Sequence, residues 1–564
     1  MWELNNHKII LQTITLAMVF LYLRYTNKPY MLTKSDKVQL RGTIFKHLDG
    51  IATSTTTYTL HKKGVLEYLL EHKKCELSEL VEKFNANEGY LNVALRVLCS
   101  QGWLIQYIDN ASDTISYEVN ESSQTAFSLV PIYEDVVNLL NYSVKFPEDR
   151  IGPDVFIALE KIFEKFENKY SLENIESNSI KAQILKHIEG AIAGPIIVLL
   201  GVNGFFHKYF MEASFRAQEY HKDPESFKKI LDFFSHLGWF KKKNDTYRFT
   251  DEGLFFAKRA SAYGVTVSYL PTFVKLDELI FGNPLVLKTD NADDTEKHVH
   301  REINVWGSGG AHSTYFKVID EVIIELFNRP IEEQPKGILD MGCGNGAFIE
   351  HIFDVIENRT SRGKMLEEHP LLLVGADFNK AALKVTRANL IKADIWAKVI
   401  WGDIGRPDLL AKDLKEDYNI ELRDLLNVRT FLDHNRIWEA PKNTYSTISN
   451  SSGAYAHKGE RINNNLIEDS LQEHLTKWKP FVEKFGLLII ELHTINPELT
   501  AKNIGKTAAT AYDTTHGFSD QYIVEVDVFN SVAAKAGLFP DPKHFAKFPN
   551  SELATVSINL LKGN

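Results

Sequence analysis

Cysteine is scarce in this 564-residue chain. Cys75, Cys99 and Cys343 are the only three, too few and too widely spaced for a disulfide framework or a Cys-x-x-Cys metal site, and a reducing, cytoplasmic setting fits that usage. Positive charge is in deficit as well: 64 Lys and Arg stand against 74 Asp and Glu, a net charge of −10. That balance argues against a nucleic-acid polyanion as the main partner. The N-terminal apolar run, residues 9–23 between Lys8 and Arg24, is short. As a helix this run spans about 22 Å, short of the ~30 Å hydrocarbon layer, and Gln12, Thr13 and Thr15 weaken it further. Membrane contact through 9–23 is therefore the less favoured reading. No small-residue cleavage site follows the run, which speaks against a secretory signal. What remains is an ordinary globular composition, 44% hydrophobic and 24% charged, in a chain long enough to require several cores.

The first half carries a weak internal repeat. Lys46-His47-Leu48-Asp49-Gly50 recurs as Lys186-His187-Ile188-Glu189-Gly190. Leu98-Cys99-Ser100-Gln101-Gly102-Trp103-Leu104 is echoed by Phe234-Ser235-His236-Leu237-Gly238-Trp239-Phe240. In both later segments a helical pattern closes on a glycine suited to a left-handed cap, and aromatic or aliphatic residues then open a strand. Trp239 to Thr250 reads as two short strands about an Asn-Asp turn, the wing of a winged helix, and Trp103–Tyr107 with Ile115–Val119 is its counterpart. Lys241–Lys243 are the residues a DNA-binding reading would use, but three lysines on a hairpin without a basic stripe read better as a solvated turn, so no specific nucleic acid is expected. Such units precede many small-molecule methyltransferases, where they pair subunits and wall the substrate cleft, which leaves a homodimer open. The expected division is an apolar segment at 1–30, winged-helix-like domains at 31–125 and 181–285 about a helical connector at 126–180, and an α/β domain at 286–564.

In that last region Gly337-Ile338-Leu339-Asp340-Met341 is a short apolar run that stops at Gly342-Cys343-Gly344-Asn345-Gly346 and continues into a helical segment. Glycines there permit positive φ and let the backbone approach a ligand, which would lie at the amide end of the helix. Two further strands end in acids, Leu371 to Asp377 followed by Phe378, and Lys398 to Trp401 followed by Gly402-Asp403. The series Asp340, Asp377, Asp403 resembles the class I S-adenosylmethionine-dependent methyltransferases. The resemblance implies a Rossmann-like α/β domain in which Asp340, Gly342 and Gly344 line the methionine side of the cofactor, Asp377 with Phe378 takes the ribose, and Asp403 lies beside adenine. A nicotinamide dehydrogenase fits less well, because its third glycine follows the second by three positions rather than two. The interval from Asp340 to Asp377 exceeds the ~20 positions of the dinucleotide pattern, which marks 355–368 as an inserted loop or a lengthened helix.

Acceptor chemistry is expected at the ends of the fourth and fifth strands. Phe431-Leu432-Asp433-His434-Asn435-Arg436, Ile490-Glu491-Leu492-His493-Thr494 and the expected loop Tyr512 to Tyr522 concentrate ligand-capable side chains. His434, His493 and His516, with Asp433 and Gln521, could gather around a divalent ion such as iron or manganese. These segments resemble the metal-dependent C-methyltransferase domains of apratoxin-type polyketide synthase loading modules, which methylate the α-carbon of carrier-bound acyl groups. The resemblance implies His493, His516 and Gln521 as metal ligands, and His434, Asp433 and His493 as catalytic residues with His434 as base or ligand. The expected partner is a small-molecule or carrier-protein-bound acyl substrate, although no carrier or synthase domain is recognisable in the chain. A metal-independent oxygen or nitrogen methyltransferase and a non-catalytic winged-helix scaffold are the competing readings. Trp306 to His312, rich in glycine, is expected as a loop or lid before the first strand.

Overall fold

The computed structural model describes residues 32–144, 153–288, 296–444 and 447–563. The apolar run 9–23 and the polar stretch 290–294 lie outside the described residues.

Two long helices organise the first half. Lys34–Lys62 opens on a capping box, in which the Asp36 amide donates to the Thr33 hydroxyl (3.2 Å) and the Thr33 amide donates to the Asp36 carboxylate (2.8 Å). Ile180–Val202 opens on Ser179, whose hydroxyl accepts from the Ala182 amide. Such caps satisfy amides that have no partner within the helix. The two helices cross at the repeated motif, and the repeat explains the crossing. A Cβ on Gly50 would lie 2.3 Å from the His187 Cα, and one on Gly190 would lie 2.4 Å from the His47 Cα, so each copy's glycine admits the other copy's backbone. Each copy then supplies a helix (Glu88–Ser100 and Pro224–His236) and a hairpin (Leu104–Asp109 with Thr114–Val119, and Phe240–Lys243 with Thr246–Phe249). Among the described residues only Ile180–Val202 is apolar and long enough to cross a membrane, and 83% of its apolar window is buried inside the chain.

The C-terminal half is built on one sheet, whose strands are β1 (Gly337–Met341), β2 (Leu372–Asp377), β3 (Lys398–Trp401), β4 (Leu425–Thr430), β5 (Leu487–Leu492), β6 (Leu538–Pro540), β7 (Ala546–Phe548) and β8 (Val556–Gly563). Their order is β6-β8-β5-β4-β1-β2-β3, with β7 also paired to β8. β1 to β5 run parallel, and β8 is antiparallel to β5, β6 and β7. Side chains alternate between two cores. Leu339, Met341, Leu487 and Ile489 enter one, while Ile338, Leu488 and Ile490 enter the other, which is why these strands read as continuous apolar runs. This is a Rossmann-like α/β domain preceded by mainly helical, winged-helix units.

Two local expectations are overturned. Trp306 to His312 is no lid, because it lies inside the helix Arg301–Phe327. Gly307 serves close packing rather than a turn: a Cβ there would sit 2.6 Å from the Val265 amide nitrogen. Residues 512–517 are helical rather than looped, within Ala509–Gly517. That helix is buried on almost every side, so it carries no amphipathic period to betray it.

Candidate active site

β1 ends in the glycine turn. Gly342, Gly344 and Gly346 take φ of +81°, +55° and +83°, and a Cβ on Gly344 would have only the Gly342 carbonyl oxygen, at 4.0 Å, within reach. The space above the turn is thus open to a ligand. The Gly344 amide donates to one Asp377 oxygen (3.0 Å) and the Asn379 amide to the other (2.8 Å), which ties the end of β2 to the turn. Asp340 is buried with its Oδ1 unpartnered among the described residues. Burial, and then the nearby Asp377 charge, push its carboxyl up to about 8. Such a group calls for a cationic or donor ligand. Asp403 accepts from the Gly405 amide at 2.8 Å. Phe378 is exposed beside Trp401, ring centroids 5.6 Å apart, and the Trp401 indole donates to the Phe378 carbonyl. Together these residues form a cradle along the ends of β1, β2 and β3. The long interval before Asp377 holds the helix Ala347–Arg359 and a turn pinned by buried Arg362, which donates to the carbonyls of His369 (2.9 Å) and Pro370 (3.0 Å).

The acceptor side begins two residues beyond a contact with this turn, since a Cβ on Gly342 would lie 2.9 Å from the Leu432 side chain. Asp433 faces inward. Its Oδ1 accepts from Arg429 (2.5 Å) and His474 (2.9 Å); burial would raise this carboxyl, but the Arg429 and His474 contacts hold it below its ordinary value. His434 is bonded through Nδ1 to Glu491. Glu491 also accepts from the amides of Asp433 (2.9 Å) and Leu492 (2.7 Å). The other His434 nitrogen makes no hydrogen bond among the described residues, and the ring meets His516 edge-on, centroids 5.1 Å apart. His516 gives its Nδ1 to the Tyr512 carbonyl at 2.7 Å, and burial pushes it down to about 3, so it stays neutral. The Gln521 amide donates to the Tyr269 hydroxyl at 2.9 Å.

Sequence reasoning left three contributors unassigned. Glu491, a lone acid in an apolar strand, was visible as an anomaly. Tyr269 and Arg96 come from the helical half and left no local signal. Arg96 donates to Asp513 (3.1 Å), Thr494 (2.9 Å) and the Ile495 carbonyl (2.8 Å).

Three family models of one type match successive parts of the chain: an AprA N-terminal domain at 40–106, an AprA winged helix domain at 189–283 and an AprA MT2-like domain at 296–559. The chain belongs to the AprA-like S-adenosylmethionine-dependent methyltransferases. Among solved structures, an O-methyltransferase family protein from Burkholderia thailandensis is 11% identical, covering 68% of this chain and 98% of that one at a TM-score of 0.39. The CurJ carbon methyltransferase is 10% identical, covering 76% of this chain and 100% of that one at 0.32. At these scores neither likeness bears on substrate or mechanism. No curated protein matches the chain in sequence.

The cradle fits the cofactor: the orphaned Asp340 oxygen and the open space over Gly344 are where a methionine moiety would be received. The metal set does not fit as folded. Both His493 ring nitrogens are already engaged, Nδ1 with the Val524 carbonyl (2.9 Å) and Nε2 with the Ser557 hydroxyl (2.7 Å), and burial pushes this ring down to about 4. Among the described residues no three His, Cys, Asp or Glu side chains are arranged to hold an ion. His493 is a core residue beneath the site, and Asp433 anchors the segment from within rather than facing an acceptor.

Proposed function

We propose that this enzyme methylates an acyl-type acceptor, small or carrier-tethered, at carbon, with His434 as general base. One observation carries the reading: His434 is oriented through Nδ1 by Glu491, while its other nitrogen has no hydrogen bond among the described residues. A base held from behind by a buried carboxylate is the dyad that proton abstraction requires. In this reading Nε2 takes the acidic α-proton of the acceptor and Glu491 stabilises the resulting imidazolium. The bound cofactor supplies an electrophilic methyl on sulfonium. Gln521 donates to the Tyr269 oxygen, and in this reading the Tyr269 hydroxyl turns its proton to the acceptor's developing enolate oxygen. Neutral His516 beside His434 adds no charge that would oppose protonation of the base. The buried, unpaired thiols Cys75, Cys99 and Cys343 suit work in a reducing cytoplasm.

The test is product analysis with isotopically labelled S-adenosylmethionine against a panel of acyl thioesters, β-dicarbonyls and phenols, using enzyme dialysed against chelator. Carbon methylation by the dialysed enzyme is expected. Label found only on oxygen or nitrogen would overturn the carbon assignment, and activity that returns only with added iron or manganese would overturn the metal-free base.

A further inference from the structure

The two helical copies are related by more than sequence. His47 of the first copy contacts Tyr263 of the second (Nδ1 to hydroxyl, 2.8 Å), and His187 of the second contacts Tyr133 of the first in the same way (2.7 Å). Both tyrosines close equivalent 3-10 turns, Val130–Tyr133 and Ala260–Tyr263. With the reciprocal glycine contacts of Gly50 and Gly190, this is a swapped, two-fold-like exchange, the pattern expected of an isologous dimer, but made within one chain.

The relation extends to what each copy carries. On the first copy the helix Glu88–Ser100 seats the catalytic domain: Tyr90 donates to Asp520 (2.8 Å) and Arg96 binds Asp513. On the second copy the equivalent helix, Pro224–His236, seats the connector helix Pro153–Glu167 instead, through stacked Phe163 and Phe233 (4.4 Å) and the Lys229–Glu160 ion pair (2.7 Å). Each copy's tail then touches the body seated on the other copy. The first tail, Glu134–Ser143, pairs with the connector through Asp135 and Lys165 (2.6 Å). The second tail reaches the catalytic domain through Tyr269, bonded to Gln521 and 6.3 Å from His516.

We propose that the helical copies form a subunit dimer folded into one chain, in which the second copy delivers Tyr269 in cis to the acceptor site borne by the first. The connector helix occupies the seat where a second catalytic domain would dock, and the apolar helix Ile180–Val202 spends its surface inside the chain. Among the described residues both seats are filled from within one chain. The role of Tyr269 rests on the acceptor-site reading above; the cis arrangement does not.

Light scattering of the full chain across assay concentrations should give the monomer mass of 64.3 kDa, with specific activity independent of concentration. Tyr269→Phe should lower kcat about tenfold or more with S-adenosylhomocysteine affinity retained, as for loss of an oxyanion donor. Co-expressed Tyr269→Phe and His434→Ala chains should show no more activity than the two measured separately. A doubled mass, or activity restored by co-expression, would overturn the cis arrangement. An unchanged kcat and KM in Tyr269→Phe would overturn the assignment of Tyr269 and, with it, that part of the acceptor-site reading.

Discussion

Asp340 offers the sharpest test of the cofactor cradle. Its carboxyl is buried, one oxygen lacks a partner among the described residues, and burial with the adjacent Asp377 raises it from 3.8 to about 8. In the empty enzyme it is therefore a neutral acid at pH 7. A ligand ammonium held against it favours the carboxylate, so binding below pH 8 must expel a proton, and affinity should climb about tenfold per pH unit until it levels above pH 8. Between pH 6 and pH 8 that amounts to about fiftyfold, or ~2.3 kcal/mol, because the group is only half ionised at pH 8. Calorimetric titration with S-adenosylhomocysteine at pH 6, 7 and 8 measures the climb, and buffers of different ionisation enthalpy at pH 7 count the released proton. Asp340→Asn should flatten the profile and weaken binding at pH 8. The sign for stability is opposite. A group whose folded pKa is raised holds a proton that the unfolded chain has lost, so its contribution is complete below about pH 4 and disappears as pH rises towards 8. Ligand-free enzyme should therefore melt lower at pH 8 than at pH 6, and buried Asp49, also pushed up to about 8, adds in the same direction. Equal affinity at pH 6 and 8 with no proton release would refute the placement of the cofactor's cation at Asp340.

Four further outcomes follow from the same geometry. Gly344→Val places a branched side chain in the open space above the turn, at a φ of +55°, and should abolish S-adenosylhomocysteine binding in calorimetry while circular dichroism stays native; retained affinity sinks the cradle. Glu491→Gln keeps shape but removes the charge behind His434, and should cut kcat by about ten- to a hundredfold with cofactor affinity unchanged; a kcat within twofold of the parent would dismiss the dyad. His493→Ala deletes two buried hydrogen bonds and a packed ring, so denaturant unfolding should show a loss of about 2–4 kcal/mol with no change in bound metal by elemental analysis; a stoichiometric ion lost in this variant would restore the metal reading. Arg96→Met strands the buried Asp513 carboxylate and should cost about 3–5 kcal/mol by the same measurement, whereas a loss under about 1 kcal/mol would show the two halves are not coupled through this side chain.

The cofactor half of the site was legible because its signals are local. Three apolar strands each stop at an acid, and the glycines of 342–346 need positive φ whatever lies around them. The acceptor half was legible only as a set of residues, not as an arrangement. His434 could be singled out, but Glu491, its partner, lies on a neighbouring strand, and only the parallel register of β4 with β5 brings them together. His493 looked like a ligand because it ends a strand; its Ser557 contact depends on the antiparallel return of β8, which no local pattern announces. Trp306–Gly307 read as a loop because glycine usually breaks helices, whereas here the missing side chain lets one helix lie against the Gly264 backbone.

The distribution of contacts around the helix Ala509–Gly517 gives the helical half a structural role. From the first copy, Arg96 binds Asp513 and Gln101 donates to Thr510 (2.9 Å); from the second, Tyr269 holds Gln521, just beyond the helix end. Arg96 is wholly buried, and a buried guanidinium is tolerable only where nearly all its donors are met in fixed directions. This one takes partners on the acceptor helix, on the residues that follow β5 and on the Ser452 carbonyl, so none of the three can shift without leaving charge unpaired. The helix that carries His516 is thereby held from two copies at once, against His434, the proposed base, which Glu491 of β5 holds through Nδ1. The wing lysines take no part, and Lys242 is already paired with Asp232 at 2.8 Å. What the duplicated units contribute is positional: they hold the helix that would wall the proposed acceptor site against His434.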